Sequence, residues 1–528
     1  MTQPAAGHGR RMRGAFWTPL PWAHRAHELL DAHLGPAWHE DFVVWDPACG
    51  GLNLTRPRAF GELYASTLHL DEVDAAANPE AAAVVAFDFL NDPLSALPAG
   101  LLDALRRRRP IVLLANPPYA QATDYEGARK ASVASTAVAG EMSGLGHARS
   151  ELYTQFYFRA MGVAAEFGYE RDFHIVFFTK AGYLTSPSFA AFTRTLTSRF
   201  GFRGGFLFNA GEFNGASRHW GVVLAHWELG AAGVPLEFPV LGPGPAGVWR
   251  PRVVDKHSTM SAWLAEIPLS GHRDPDAPLT TNGLDPAGPR APLVMRRGWL
   301  GYLHNNGDNV QYSAKYTGLY SMGFGSAHGR EVTRENIWRA AVVFAVRRAV
   351  HTDIEAHGLT WIRDKDIFRG PSADLLDDAF LADCLVFSLV DNQSRQTSLR
   401  DWHGHDRVPN EFFPFARAST GELGGEGPER FVHTLLKGRE LSPEAARVLA
   451  LGEEILAETL PHRRPFHVEQ PRFQVLNWDA GWRQLSPMVA GPARAQFRTA
   501  VRDLGATIAA RAYADGVIDP PAQNFRTH

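Results

Sequence analysis

Five apolar residues, Ile111-Val112-Leu113-Leu114-Ala115, run directly into Asn116-Pro117-Pro118-Tyr119, and this junction constrains the fold more tightly than any other stretch. A short apolar run without polar alternation suits a strand covered on both faces, as in the interior of a parallel sheet. Two prolines stop the strand and stiffen the backbone beyond it. The amide of Asn116 and the ring of Tyr119 are then held in a flat slot at the carboxyl edge of the sheet. Such a slot offers acceptors for an amino group and a ring for a planar one, which is what methyl transfer to an exocyclic or amide nitrogen requires.

The surrounding sequence repeats the pattern. Phe42 to Trp45, Leu63 to Leu68, Ala83 to Phe87 and Phe173 to Phe178 read as further buried strands, and Phe202 to Phe208 with Trp220 to Trp227 as a closing pair. Helical stretches such as Glu151 to Phe167 separate them. The expected fold is α/β, a Rossmann-like sheet with helices on both faces over residues 15–230. A basic arm (1–14) precedes it. A Gly/Pro-rich linker is expected at 231–251, and a C-terminal mixed α/β region at 252–528, with helices from Glu335 to His351 and Pro443 to Leu460. Between Gln121 and Ser150 the periodicity is lost, which fits either a substrate-contacting lid or an insertion without a role.

At 528 residues the chain exceeds one ordinary core. Its two cysteines, Cys49 and Cys384, exclude a disulfide framework and a structural zinc site, and fit a reducing cytoplasm. No apolar stretch has membrane-spanning length. With 53 Lys+Arg against 56 Asp+Glu the net charge is −3, which argues against indiscriminate polyanion binding but leaves room for a local basic face.

Three weaker signals sit where ligand-edge residues belong. Asp46-Pro47-Ala48-Cys49-Gly50-Gly51 follows the first strand, and its small residues allow close backbone approach, with Leu52-Asn53 next. Asp71 and Glu72 lie about where an acid for ribose hydroxyls is needed, although either also reads as a solvated carboxylate. Asp88-Phe89 ends the third strand, as a hydrogen-bond acceptor beside a stacking ring or as a helix cap beside a core phenylalanine.

In this order the motifs resemble those of the S-adenosylmethionine-dependent N6-adenine DNA methyltransferases. Asn116 to Tyr119 matches the catalytic motif of that family, and the Asp-Pro-Ala-Cys-Gly turn resembles its cofactor motif. Phe16-Trp17-Thr18-Pro19, upstream, resembles the segment that closes over the cofactor's methionine end, the gamma arrangement. Glu151 to Phe156 resembles the helix after the catalytic loop, and Gly211-Glu212-Phe213-Asn214-Gly215 the late motif that packs on the target base. The resemblance implies S-adenosyl-L-methionine as cofactor, with Phe16, Thr18, Pro19, Asp46, Ala48, Gly50, Asn53, Asp71, Asp88 and Phe89 around it. It implies Asn116, Pro117, Pro118 and Tyr119 as the catalytic group and no metal. Two departures stand out: Leu52 occupies the place of the family's second glycine, and His69 that of its acid.

The resemblance further implies site-specific methylation of a flipped-out adenine in double-stranded DNA, with restriction or defence-system subunits as partners. Target recognition falls to the C-terminal region, where Arg296-Arg297, Arg347-Arg348 and Arg363-Lys365-Arg369 alternate with Trp299, Tyr302, Trp361 and Phe368. Each basic cluster also reads as an ordinary solvated face. Asn410 to Phe415 is given a packing role only. RNA-base or protein-glutamine methylation, or a catalytically silent DNA-binding subunit, are the alternatives.

Overall fold

The computed structural model describes residues 17–68, 70, 83–119, 136–213, 216, 218, 220–242, 247–251, 257–267, 279–280, 293–294, 299–305, 317–320, 330–356, 368–390, 414–420, 429, 431–470 and 486–518. The chain divides into two compact units between Val253 and Val254.

The first unit is mixed α/β, built on a nine-stranded sheet in the order β3-β2-β1-β4-β5-β7-β6-β8-β9. The strands are β1 (Val43–Asp46), β2 (Glu62–Thr67), β3 (Ala83–Ala86), β4 (Ile111–Ala115), β5 (Phe173–Lys180), β6 (Phe200–Asn209), β7 (Gly221–Leu229), β8 (Phe238–Leu241) and β9 (Gly247–Trp249). The first five are mutually parallel along the sheet, and β7 is inserted antiparallel to both β5 and β6. β4 is central and wholly buried, as its unbroken apolar run requires.

Alternation along the strands assigns the two faces. Val112, Leu114, Val176 and Phe178 join a core with Trp22, Ala23, Ala26 and Leu30 of helix α1 (Leu20–Leu34). On the other face Phe177 meets Tyr157 of helix α2 (Leu152–Glu166) at 5.0 Å between ring centroids. Helix α1 starts with a proline in its first turn and stops at Gly35, whose φ of +90° suits only glycine well.

Part of the stretch expected as a linker belongs to the sheet. β8 pairs parallel with β6, and β9 pairs antiparallel with β8. Phe238 and Trp249 are fully buried, with Phe238 packed near Phe202 at 4.9 Å. Gly and Pro punctuate the stretch, but two buried aromatics anchor it.

The second unit combines helices α3 (Ile337–Ala356), α4 (Asp378–Val390), α5 (Pro443–Thr459) and α6 (Gly491–Ala514) with a three-stranded antiparallel sheet of Trp299–Asn305, Thr317–Tyr320 and Arg330–Thr333. Val343, Phe344, Phe380, Leu385, Leu504 and Ile508 lie in its core. Ser442 caps α5 by accepting the Ala445 N–H at 3.1 Å, with Pro443 in the first turn. Of the aromatic stretch expected only to pack, Phe415 is buried beside Leu456 and covers Gly452 of α5. Among the described residues no helix is long and apolar enough to cross a membrane.

Candidate active site

Because β1 and β4 are parallel, Asp46 and Asn116 emerge at the same edge of the sheet. The β6–β7 connection returns to that edge, since Asn209 at the end of β6 pairs with Gly221 at the start of β7. The glycine turn, the Asn-Pro-Pro-Tyr slot and the loop holding Phe213 and Trp220 are therefore neighbours by topology, although they lie far apart in the sequence.

Asp46 is 1% exposed, and its carboxylate accepts the Ala48 N–H at 3.0 Å, which shapes the first bend of the turn. Burial pushes its pKa up to about 7, against the opposing pull of that hydrogen bond. The turn then passes through Gly50 at φ +47° and Leu52 at φ +60°. Both are left-handed, so the backbone keeps the conformation a glycine favours even where leucine stands. The Leu52 side chain is buried against Cys49, Ala65 and Val84, inside the protein. Burial first, and the Asp46 charge second, push the Cys49 thiol up, which favours its neutral form. Asn53 is half-buried at the end of the turn.

Trp17 lies over this turn. A Cβ on Gly50 would stand 3.3 Å from the indole Cδ1 and Nε1, and one on Gly51 would stand 3.5 Å from Cε2. Trp17 is 41% exposed, whereas the neighbouring Thr18 is buried and Pro19 caps α1. Trp17 belongs to the Phe16-Trp17-Thr18-Pro19 segment that the resemblance places over the cofactor, but it is not among the individual residues named around it. A glycine turn with left-handed backbone, a buried carboxylate at its root and an aromatic cover fits the amino-acid end of S-adenosylmethionine.

Asp88 is held locally. Its Oδ1 accepts the Leu90 N–H at 2.9 Å and its Oδ2 the Asn91 side-chain amide at 2.7 Å. Phe89 is buried, 5.3 Å from Trp45 and 5.1 Å from Phe156 between ring centroids. Asp88 thus closes a local turn over residues 88–92, and no helix starts there, while the Phe89 ring packs in the core. Phe16, His69, Asp71 and Glu72 lie outside the described residues.

Asn116 is half-buried and Tyr119 buried at the end of β4. The Tyr119 hydroxyl donates to Asn116 Oδ1 at 2.6 Å. Burial raises the Tyr119 pKa well above its ordinary value, so the hydroxyl remains a donor. The Tyr119 ring meets Trp220 nearly edge-on, at 5.3 Å and 80°, and lies 6.4 Å from Phe213. Phe213 itself is 0% exposed, packed on Phe208 at 5.4 Å and Phe178 at 6.2 Å. The ring expected to line the slot thus faces the core, and the half-buried ring beside Tyr119 is Trp220.

In the second unit Arg347 and Arg348 are buried, 0% and 6% exposed, with the Arg347 guanidinium 4.7 Å over the Phe368 ring. Arg369 donates to the Gly516 carbonyl at 3.0 Å. Arg347 and Arg348 thus pack inside the second unit, while Arg369 is half-buried; the inward place of the doublet on its helix is invisible in the sequence. Arg296, Arg297, Arg363 and Lys365 lie outside the described residues. Among the described residues no group of three or more His, Cys, Asp or Glu is placed to hold a metal ion.

No protein-family model matches the chain, and no curated protein does. Several solved structures resemble part of it. A modification subunit of a putative type I restriction enzyme from Vibrio vulnificus YJ016 is 16% identical, with a TM-score of 0.31, over 45% of this chain and 51% of that one. A putative class I S-adenosylmethionine-dependent methyltransferase from Listeria monocytogenes is 16% identical, with a TM-score of 0.30, over 44% of this chain and 68% of that one. The type IIG restriction endonuclease BpuSI is 20% identical, with a TM-score of 0.31, over 44% and 28%. In the DrdV–DNA complex the match spans 28% of the other chain. Likeness of this degree bears on neither reaction nor substrate.

Proposed function

We propose that this chain is an S-adenosylmethionine-dependent methyltransferase acting on the N6 amine of an adenine flipped out of double-stranded DNA, within a restriction-modification or defence system. The observation that carries the reading is the Asn116 side-chain oxygen, held at the carboxyl edge of β4 beside an aromatic wall and sharing that edge with the glycine turn.

The residues of the cradle would be Asp46, Gly50 and Gly51, with Trp17 above them. When bound, S-adenosylmethionine supplies an electrophilic methyl group. The rest is the work of the slot. An aromatic amine is a poor nucleophile because its lone pair is delocalised into the ring. Asn116 Oδ1 and the Pro117 carbonyl accept its two N–H groups and draw the lone pair out of that conjugation. The reaction needs no strong base, since the amine proton becomes acidic only after the new bond forms. Positioning and fixed dipoles provide the acceleration. Pro117 and Pro118 keep both acceptors from relaxing away. Flipping the base costs roughly a few kcal/mol, offset in part by stacking in the slot.

Incubating the protein with methyl-labelled S-adenosylmethionine and, separately, duplex DNA, RNA and protein tests the proposal. Label is expected in DNA, as N6-methyladenine. Label in RNA or in glutamine would move the substrate class. Absence of S-adenosylmethionine binding by calorimetry would make the chain a silent, methylase-like DNA-binding subunit.

A further inference from the structure

Resting on that reading, we infer that Trp220, and not Phe213, is the ring that receives the target base opposite Tyr119. Three observations converge on it. Topologically, Trp220 immediately precedes β7, whose first residues pair with the ends of β5 and β6, Lys180 with Val222 and Asn209 with Gly221. Because β7 runs antiparallel, its start lies at the same edge as Asn116, one step outside the sheet. In packing, Trp220 is half-buried and only leans on the hydrophobic core, whereas Phe213 is 0% exposed and wedged among Phe178, Phe208 and Tyr119. Offering a face of Phe213 to a ligand would open the core; offering one of Trp220 would not. In anchoring, the Trp220 carbonyl accepts the Ala210 N–H at 2.9 Å, and the Asn209 amide spans the loop to the Arg218 carbonyl at 3.0 Å. The indole therefore stands on a fixed backbone, as a stacking platform must.

The present contact also shows what has to move. Tyr119 stands edge-on to Trp220 at 80° and spends its hydroxyl on Asn116 Oδ1. A base reaching Asn116 displaces that hydroxyl and turns the Tyr119 ring from an edge contact to a facing one, with Trp220 as the fixed wall. The indole is the largest aromatic surface among the side chains, which suits a two-ring purine better than a single-ring pyrimidine.

The test compares two labelled DNA duplexes, one whose probed strand carries a single central adenine left unpaired and the other with an abasic site there, by fluorescence anisotropy on the full chain. Wild type is expected to prefer the adenine duplex by about tenfold or more, the range of one stacked base. Trp220→Ala should remove that preference while leaving abasic-duplex binding and the melting temperature near wild type. Trp220→Phe should restore most of the preference, and Phe213→Leu should keep it. An undiminished preference in Trp220→Ala, or its loss only in Phe213→Leu, overturns the inference while the proposed function stands. Wild type that binds both duplexes equally overturns the inference as well. Wild type that binds neither duplex overturns the nucleic-acid reading, and the role of Trp220 with it.

Discussion

The Tyr119 hydroxyl donates to Asn116 Oδ1 at 2.6 Å, so the slot's tyrosine occupies the acceptor that the proposed chemistry needs. The bond is internal to the tetrapeptide and closes over two prolines, which makes the pair a competitor for any incoming amine.

Asn116→Ala is expected to lower methyl transfer by about 100-fold or more, the scale of losing one preorganised polar group at a reacting atom. Tyr119→Phe should instead raise kcat/KM by roughly two- to tenfold, since a neutral hydrogen bond contributes about 0.5–1.5 kcal/mol net and here opposes substrate entry. Initial-rate kinetics with labelled cofactor check both. A Tyr119→Phe variant as inactive as Asn116→Ala would show that the hydroxyl assists the reaction.

Leu52→Gly sets two effects against each other. Relief of the left-handed backbone is worth roughly 1–2 kcal/mol. Losing a wholly buried leucine side chain among Cys49, Ala65 and Val84 costs about 2–5 kcal/mol. Net destabilisation of about 1–3 kcal/mol is expected in urea titrations, without a gain in S-adenosylmethionine affinity, because the side chain faces inward. A stabilised variant would show that strain dominates this turn.

Burial holds the Asp46 pKa at about 7 in the free protein. A cationic ligand group docked beside it favours the carboxylate form, so S-adenosylmethionine affinity should rise with pH through about 7 and level off above it. Calorimetry on either side of that pH measures this, and Asp46→Asn should flatten the profile. A flat profile in wild type would mean that Asp46 shapes the turn only.

His33, His226 and His174 form a hydrogen-bonded chain, with 3.0 Å between His33 Nδ1 and His226 Nδ1 and 3.0 Å between His226 Nε2 and His174 Nδ1. Burial lowers all three pKa values, that of His174 to about 4, and Arg203, which is ion-paired with Glu228, lowers them further. Neutral forms are thus favoured in the folded state. Their contribution is intact above the unfolded pKa of about 6.5 and is lost as pH falls below it, with the His174 part lost down to about 4, at up to about 1.4 kcal/mol per pH unit for that buried group. Urea midpoints should drop over that window, and less steeply in a His174→Gln, His226→Gln variant. Parallel profiles for the two proteins would refute the assignment.

Gly452→Ala would normally stabilise a helix by about 1 kcal/mol. Here the added methyl would collide with the Phe415 ring, which is 1% exposed. Overpacking costs about 1–3 kcal/mol, so a lower melting temperature is expected. An unchanged one would mean that Phe415 yields freely.

Local signals are sufficient wherever one short segment carries its own constraint. The run Ile111 to Ala115 becomes β4 with the same limits, and Asn116 to Tyr119 leaves it at the ligand edge. Helix α5 begins at Pro443 because Ser442 and Pro443 are adjacent in sequence. Residues 231–251 look like a linker because Gly and Pro dominate them, while Phe238 and Trp249 act only through partners on other strands. Asp88 and Phe89 match a ligand-edge pattern, and the contacts of the folded protein are those of a local turn and a core ring, which depend on Trp45 and Phe156 far away in sequence.

The sequence by itself determined the α/β class, the positions of seven of the first unit's nine strands and the tetrapeptide slot, because periodicity and proline act over a few residues. Only the tertiary structure decided which aromatic rings border that slot and which basic residues turn inward. Trp17 covers the glycine turn, Trp220 stands at Tyr119, Phe213 turns into the core and Arg347 is buried. Strands distant in sequence pair at one edge, and side-chain direction is settled only by packing.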